Sequence, residues 1–274
     1  MKNLKPEYTE CNMYQNYKTI SVEIDGHVAT LWLNRPEWHN ALNLDLLNEV
    51  INFFHRVDID DNIRVVIIRG RGKSFCAGAD INWMKQSANL TEEANLSESK
   101  VLSRFFETIF NSSKVTIAVV HGNAFGGGCG LVSVCDLAYA VGSARFSLSE
   151  TRLGLIAATI TPYMLMKLPM PVYKEMVFTA KKFDGNEAEK SGLVNRNFET
   201  DEELEQHLKT TIKEILKGGP KSLSGSKSLI NDVMQTVSVK EKLNEVPEIL
   251  AKVRVSTEAR EGFKAFLDKR KPNW

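Results

Sequence analysis

What this sequence has little of narrows the field before any motif is read. Cysteine is scarce: Cys11, Cys76, Cys129 and Cys135 form no C-x-x-C pair and interleave with no histidine set at zinc spacing, so no metal site is expected. Cys76, Cys129 and Cys135 sit in apolar stretches and read as small core residues. A surplus of one charge is also missing. Lys and Arg total 35 against 34 for Asp and Glu, a net charge of +1, without the basic excess of a nucleic-acid binder. No run of about 18 apolar residues is present to cross a membrane. The first 17 residues hold no apolar signal core, and Glu7 and Glu10 argue against a transit peptide. A reducing cytoplasm is the expected compartment.

What is present is ordinary for a soluble globular chain: 43% hydrophobic and 25% charged residues over 274 positions. That length suits one large domain, or one domain with an appendage, and a sizeable core. Residues 18–34 alternate about Asp25-Gly26 and predict a β-hairpin. Asn43 to Val57 has helical apolar spacing, and Val65 to Arg69 reads as a buried strand before Gly70. Residues 85–97 are polar and read as a mobile connection to a helix from Val101 to Phe110. Val115 to Val120 is a second buried strand, and Asp136 to Val141 a third. From about residue 160 the pattern turns mostly helical, broken by Gly192, Gly218 and Gly219. It ends in an amphipathic helix over 256–269 with Phe263 and Phe266 on one side. The expected division is a strand-and-helix core over 1–199 and a helical region over 200–274.

Two segments share one layout of apolar strand, glycine-rich turn and helix: VVIIRGRGKSFCAGADI and VTIAVVHGNAFGGGCGL. A helix start exposes N–H groups that lack intrahelical partners, and glycine lets backbone approach a ligand closely. Two such turns brought together aim two donors at one oxygen, an oxyanion hole fit to stabilise a thioester enolate. Tight packing is the competing reading for either turn alone. Neither turn matches the phosphate loop G-x-x-x-x-G-K-[ST], nor the dinucleotide pattern G-x-G-x-x-G.

Taken in order, Ala77 to Ile81 (AGADI), Gly122 to Gly128 with Cys135-Asp136, and Phe146 to Leu155 (FSLSETRLGL) resemble the crotonase, or enoyl-CoA hydratase/isomerase, superfamily. The resemblance runs from about residue 18 to KAFLDKRKP at the end. It implies an α/β fold, a spiral of ββα units with a C-terminal helical trimerisation region, assembled as trimers or hexamers. It implies an acyl-CoA thioester substrate, with coenzyme A part of the substrate and no separate cofactor. It also implies that Ala79 and Gly127 N–H form the oxyanion hole, and that Ala41, Ala77, Asp80 and Ile81 line the CoA path. Phe266 and Lys269 are implied to reach the CoA of a neighbouring subunit.

Hydratases of this family use two glutamates. The position two residues after the last glycine of GGG is here Gly130, which cannot carry a proton; the position in F-x-x-x-E is Glu150. A lone carboxylate in a low-dielectric pocket can still take and return a proton, although an ion pair with Arg152 is the alternative. GGGCGLVSVCD with SETRLGLIAATITPYM is similar to the branch acting on methylglutaconyl-CoA and isohexenylglutaconyl-CoA. For such a substrate Arg152 is the candidate partner of a distal carboxylate. Trp83 and Met84 are candidates for the acyl tunnel, and His121 for positioning water or substrate. The leading expectation is a hydratase with Glu150 as catalytic residue. A Δ3,Δ2-enoyl-CoA isomerase is the runner-up, and a CoA-ester binder without catalysis the third reading.

Overall fold

The alternation about Asp25-Gly26 folds as a hairpin: β1 (Ile20–Asp25) pairs antiparallel with β2 (Val28–Leu33). Gly26 takes the positive φ the turn requires. The computed structural model describes residues 14–87, 89–235, 250, 253 and 256–274. Cys11, Glu7 and Glu10 lie outside the described residues.

β3 (Val65–Gly70), β4 (Val115–Val120), β6 (Leu137–Val141) and β9 (Arg196–Phe198) extend the hairpin into a six-stranded sheet of order β1-β2-β3-β4-β6-β9. Every pairing after the first is parallel. A parallel sheet is covered on both faces, and so its strands are apolar without alternation. Val66, Ile68, Ala118 and Val120 point into one core, under α1 (Leu44–Asp58) and α3 (Glu92–Phe110). Val65, Ile67, Ile117 and Val119 point into another, under Leu204 and Leu208 of α8 (Asp201–Ile215). A second sheet of three short strands, β5 (Asn123–Phe125), β7 (Arg145–Ser147) and β8 (Phe183–Asp184), stands beside the first. This is the α/β crotonase spiral, with helices gathered toward the C-terminal end.

The stretch 85–97 is not the open connection that its polarity suggested. α2 (Ile81–Ser87) occupies its start, and α3 begins at Glu92 behind a Thr91 cap whose hydroxyl accepts from Ala94 N–H. Trp83 Nε1 donates to Glu98 Oε2 at 2.6 Å, and Asn95 Nδ2 donates to Ser87 O at 3.0 Å, which ties the two helices together. Only the last turns of α3 bury large side chains, Phe105, Phe106 and Ile109, so the apolar period that marks a helix is missing from its first half.

α8, just past residue 199, packs on the sheet through Leu204 and Leu208. α9 (Pro220–Gln235) is pinned to the sheet by charge: Lys227 Nζ donates to Asp136 Oδ2 at 2.8 Å and to Lys114 O at 3.0 Å. Asp136 Oδ2 also accepts from Thr116 N–H and Thr116 Oγ1. The C-terminal helix (Thr257–Leu267) leaves Phe263 and Phe266 58% and 83% exposed, an apolar side turned outward in the single chain.

Lys227 is buried and Asp136 partly so, and removing one partner of such a charge pair leaves the other uncompensated. Asp136→Ala strands the Lys227 ammonium and two Thr116 donors, and we expect it to lower unfolding free energy by about 3 kcal/mol, read from urea denaturation curves.

Candidate active site

The two glycine turns lie side by side, joined backbone to backbone. Phe75 N–H donates to His121 O, Cys76 N–H to Asn123 O and Phe125 N–H to Cys76 O, each at 3.0 Å. Such an approach leaves no room for side chains between the turns. A Cβ on Gly128 would collide with Cys76 O, and one on Gly78, whose φ is +93°, would lie 2.9 Å from Phe125 O. The glycines therefore do serve close packing, and that packing sets the donors. Leu42 N–H donates to Gly78 O and Asp80 N–H to Leu42 O, so Ala79 is held between two bonded peptides while its own N–H has no protein acceptor among the described residues. Gly127 opens α4 (Gly127–Val134), and its N–H is likewise one of the helix-start donors without a partner.

Glu150 begins a short 3-10 turn (Glu150–Leu153) that Gly154 closes in the left-handed conformation. Its Oε1 lies 2.9 Å from where a Cβ on Gly126 would be. Gly126 has φ +48° and ψ −113°, a conformation that glycine alone adopts without strain. The carboxylate thus rests on the backbone that leads into Gly127. Its Oε2 is buried and has no hydrogen-bond partner. Burial pushes the Glu150 carboxyl above its ordinary range, against a smaller opposing effect of its own amide. Arg152 does not neutralise it: that guanidinium donates to Thr179 O at 3.2 Å instead.

Glu150, Ala79 and Gly127 share one cavity of 260 Å³. Trp83, Met84 and Leu102 line it, as do the hydroxyl-bearing Ser149 and Thr159. Gly130 lies beneath it, and its side is filled: a Cβ there would overlap Ile160 Cγ2 and lie 2.9 Å from Phe106 Cε1. An aliphatic and an aromatic side chain fill the place where the family resemblance implied a second carboxylate. Cys76 and Cys129 lie nearby, both buried; burial raises both thiols, Cys76 to about 12, so neither is a ready thiolate nucleophile. The arrangement offers two unpartnered N–H donors and one carboxyl in a mostly apolar enclosure. That is equipment for making and quenching an enolate.

The enoyl-CoA hydratase/isomerase family model matches residues 23–274. The chain belongs to this family. It is 34% identical to a crotonyl-CoA hydratase of Syntrophomonas wolfei, over 94% of this chain and 98% of that protein. It is 32% identical to a Delta(3,5)-Delta(2,4)-dienoyl-CoA isomerase of Arabidopsis thaliana, over 95% and 98%. Among solved structures, an enoyl-CoA hydratase from Shewanella pealeana superposes with a TM-score of 0.91 at 32% identity, covering 96% of this chain and 98% of that one. The chain is an enzyme of hydratase/isomerase chemistry on acyl-CoA thioesters. Relatives of both reaction types are equally distant, so overall likeness does not choose between them and the site must.

The other residues singled out in the sequence divide in two. Ala77, Trp83 and Met84 line the cavity, and Ile81 is 67% exposed at the start of α2. Asp80 is turned inward: its Oδ2 takes Arg35 Nη2 at 2.8 Å and its Oδ1 takes Asn82 N–H at 2.8 Å. Its carboxylate supports the Ala79 turn and starts α2. Ala41 is buried, and its carbonyl also receives the Arg35 guanidinium. His121 Nε2 donates to Gly72 O at 2.9 Å, the local hydrogen bond that a lone histidine most often makes. Arg152 and His121 are outside the cavity lining, as are Phe266 and Lys269. The filling by Phe106 and Ile160 carries no signal in sequence, where both are simply apolar positions of helical stretches.

Two outcomes follow from this geometry. Gly130→Ala forces Ile160 or Phe106 aside, and overpacking of this kind costs about 1–3 kcal/mol, measurable by thermal unfolding. Glu150→Gln removes a carboxyl whose folded pKa is raised. The wild-type fold holds that proton more tightly than the unfolded chain. Its contribution is therefore present below the unfolded value of about 4.3 and lost as pH rises through the folded value. The stability of Glu150→Gln relative to wild type should rise with pH across that window and level off above it, as paired denaturation series would show.

Proposed function

We propose that this enzyme is a hydratase that adds water to a 2-enoyl-CoA with Glu150 as its only proton-transfer residue. The observation that carries the reading is the Glu150 carboxyl, whose Oε2 is buried without a hydrogen-bond partner, set against the Gly126–Gly127 backbone. The thioester oxygen would be held by Ala79 and Gly127 N–H. Glu150 takes a proton from a water as its oxygen bonds to Cβ; the double-bond electrons move toward Cα and the thioester oxygen becomes an enolate. Glu150, now a carboxylic acid, returns that proton to Cα. Ser149 and Thr159 in the lining supply hydroxyls to hold the water. Because one carboxyl handles both transfers, hydroxyl and hydrogen are added to the same face.

The acyl group we assign is 3-methylglutaconyl, supported by Gly130 and by the SETRLGLIAATITPYM context. Arg152 does not serve the distal carboxylate in this arrangement, and the described lining holds no Lys or Arg. Trimeric or hexameric assembly is supported by the outward Phe263 and Phe266, with Phe266 and Lys269 near a neighbour's CoA as the family resemblance implies. One observation favours the isomerase reading: Phe106 and Ile160 close off the Gly130 side, where hydratases of the family place a second glutamate. There Glu150 would take a proton from Cα of a 3-enoyl-CoA and return it to Cγ.

Mass spectrometry of products from crotonyl-, 3-methylglutaconyl- and 3-enoyl-CoA separates the readings. A gain of one water from a 2-enoyl ester, with deuterium from D₂O and hydroxyl on the same face, is the expected result. A moved double bond at unchanged mass assigns the isomerase instead. Glu150→Gln should bind CoA esters as wild type does and lose turnover by at least about a hundredfold; near-normal turnover would remove Glu150 from the mechanism.

A further inference from the structure

α4 carries Gly127 N–H at its first residue, and every residue from Gly128 to Val134 is buried. The helix runs for about two turns, about 12 Å, away from the cavity. At its far end lies a cation. Lys167, the last residue of α5 (Thr161–Lys167), donates from Nζ to Cys135 O at 2.7 Å and to Val132 O at 3.1 Å. These carbonyls belong to the final turn and C-cap of α4, where backbone acceptors have no intrahelical donors. Lys167 makes no carboxylate contact among the described ion pairs. The nearest acid, Asp136, already accepts from Thr116 and Lys227. The Lys167 side chain is thus held for the end of α4. Burial draws its pKa below the ordinary lysine range, while Cys135 and Asp136 pull it back up.

A positive charge at a helix C-terminus reinforces the direction of the helix dipole. Here the surroundings are low in dielectric, and the other end of the same dipole faces a forming enolate oxygen. We infer that Lys167 is a positioning residue for the reaction: by capping the C-terminal carbonyls of α4 with an ammonium, it fixes the helix and adds positive potential at Gly127 N–H, raising the polarisation of the bound thioester carbonyl. This rests on the reading of Ala79 and Gly127 as the oxyanion hole.

The test uses the full chain with butanoyl-CoA labelled with ¹³C at the thioester carbonyl, a saturated ester that binds without reacting. Isotope-edited infrared spectroscopy reads the carbonyl stretch, which falls in frequency as the oxygen is polarised. Wild type should show a lowered stretch. Lys167→Gln, whose amide can donate to the same carbonyls without charge, should return part of the way to the free-ester value. Its kcat should fall about tenfold with KM unchanged, and Lys167→Arg should keep both wild-type properties. A wild-type stretch in a folded Lys167→Gln enzyme overturns the role of Lys167 alone. A free-ester stretch in wild type overturns the oxyanion-hole reading, and this inference with it. Should Lys167→Gln not fold, Lys167→Arg decides: an unchanged stretch and kcat support the role, and a folded Lys167→Arg enzyme with a free-ester stretch overturns it.

Discussion

The site depends on one constraint, the backbone-to-backbone contact between two glycine turns. Three hydrogen bonds join residues 75–76 to residues 121–125. They can form only because Gly78 and Gly128 present no side chain to the facing strand. Once the turns are in contact, Ala79 N–H and Gly127 N–H have no protein acceptor among the described residues. Packing and chemistry are the same feature here. The glycines are needed for proximity, and proximity defines which donors stay free for a ligand.

Around that contact the molecule arranges charge economically. Asp80 and Arg35 brace the first turn from behind, and Lys167 closes the helix that begins at the second. Glu150 is left without a partner in the same enclosure. Asp80, Arg35 and Lys167 are satisfied, and the fourth ionic group, Glu150, keeps a buried oxygen without a hydrogen bond. A buried carboxyl oxygen without a hydrogen bond is a cost, and here burial raises the proton affinity of the same group.

Much of this was legible in the residues. The hairpin announced itself through Asp25-Gly26, the buried strands through VVIIR and VTIAVV, and the twin turns through their shared layout. What was not legible depends on contacts between distant segments. Polarity hid the first half of α3, because its packing is through Trp83 and Asn95 to α2 and not through an apolar stripe. The bond of the Asp80 carboxylate to Arg35, from residues far upstream, had no signal in the local sequence. Gly130 could be read as a missing glutamate. That Phe106 and Ile160 occupy the vacated side is a fact of three-dimensional packing that no spacing rule contains.

The joined turns have one more consequence, in the order of folding. Ala79 and Gly127 lie about fifty residues apart in the chain, and contacts of that separation form late and at an entropic cost. Neither turn holds the right shape by itself, since each is shaped by hydrogen bonds to the other. The two free N–H groups therefore come into place together, when residues 75–76 meet residues 121–125. A partly folded chain holds neither donor in place, and the free pair marks the docking of the two turns.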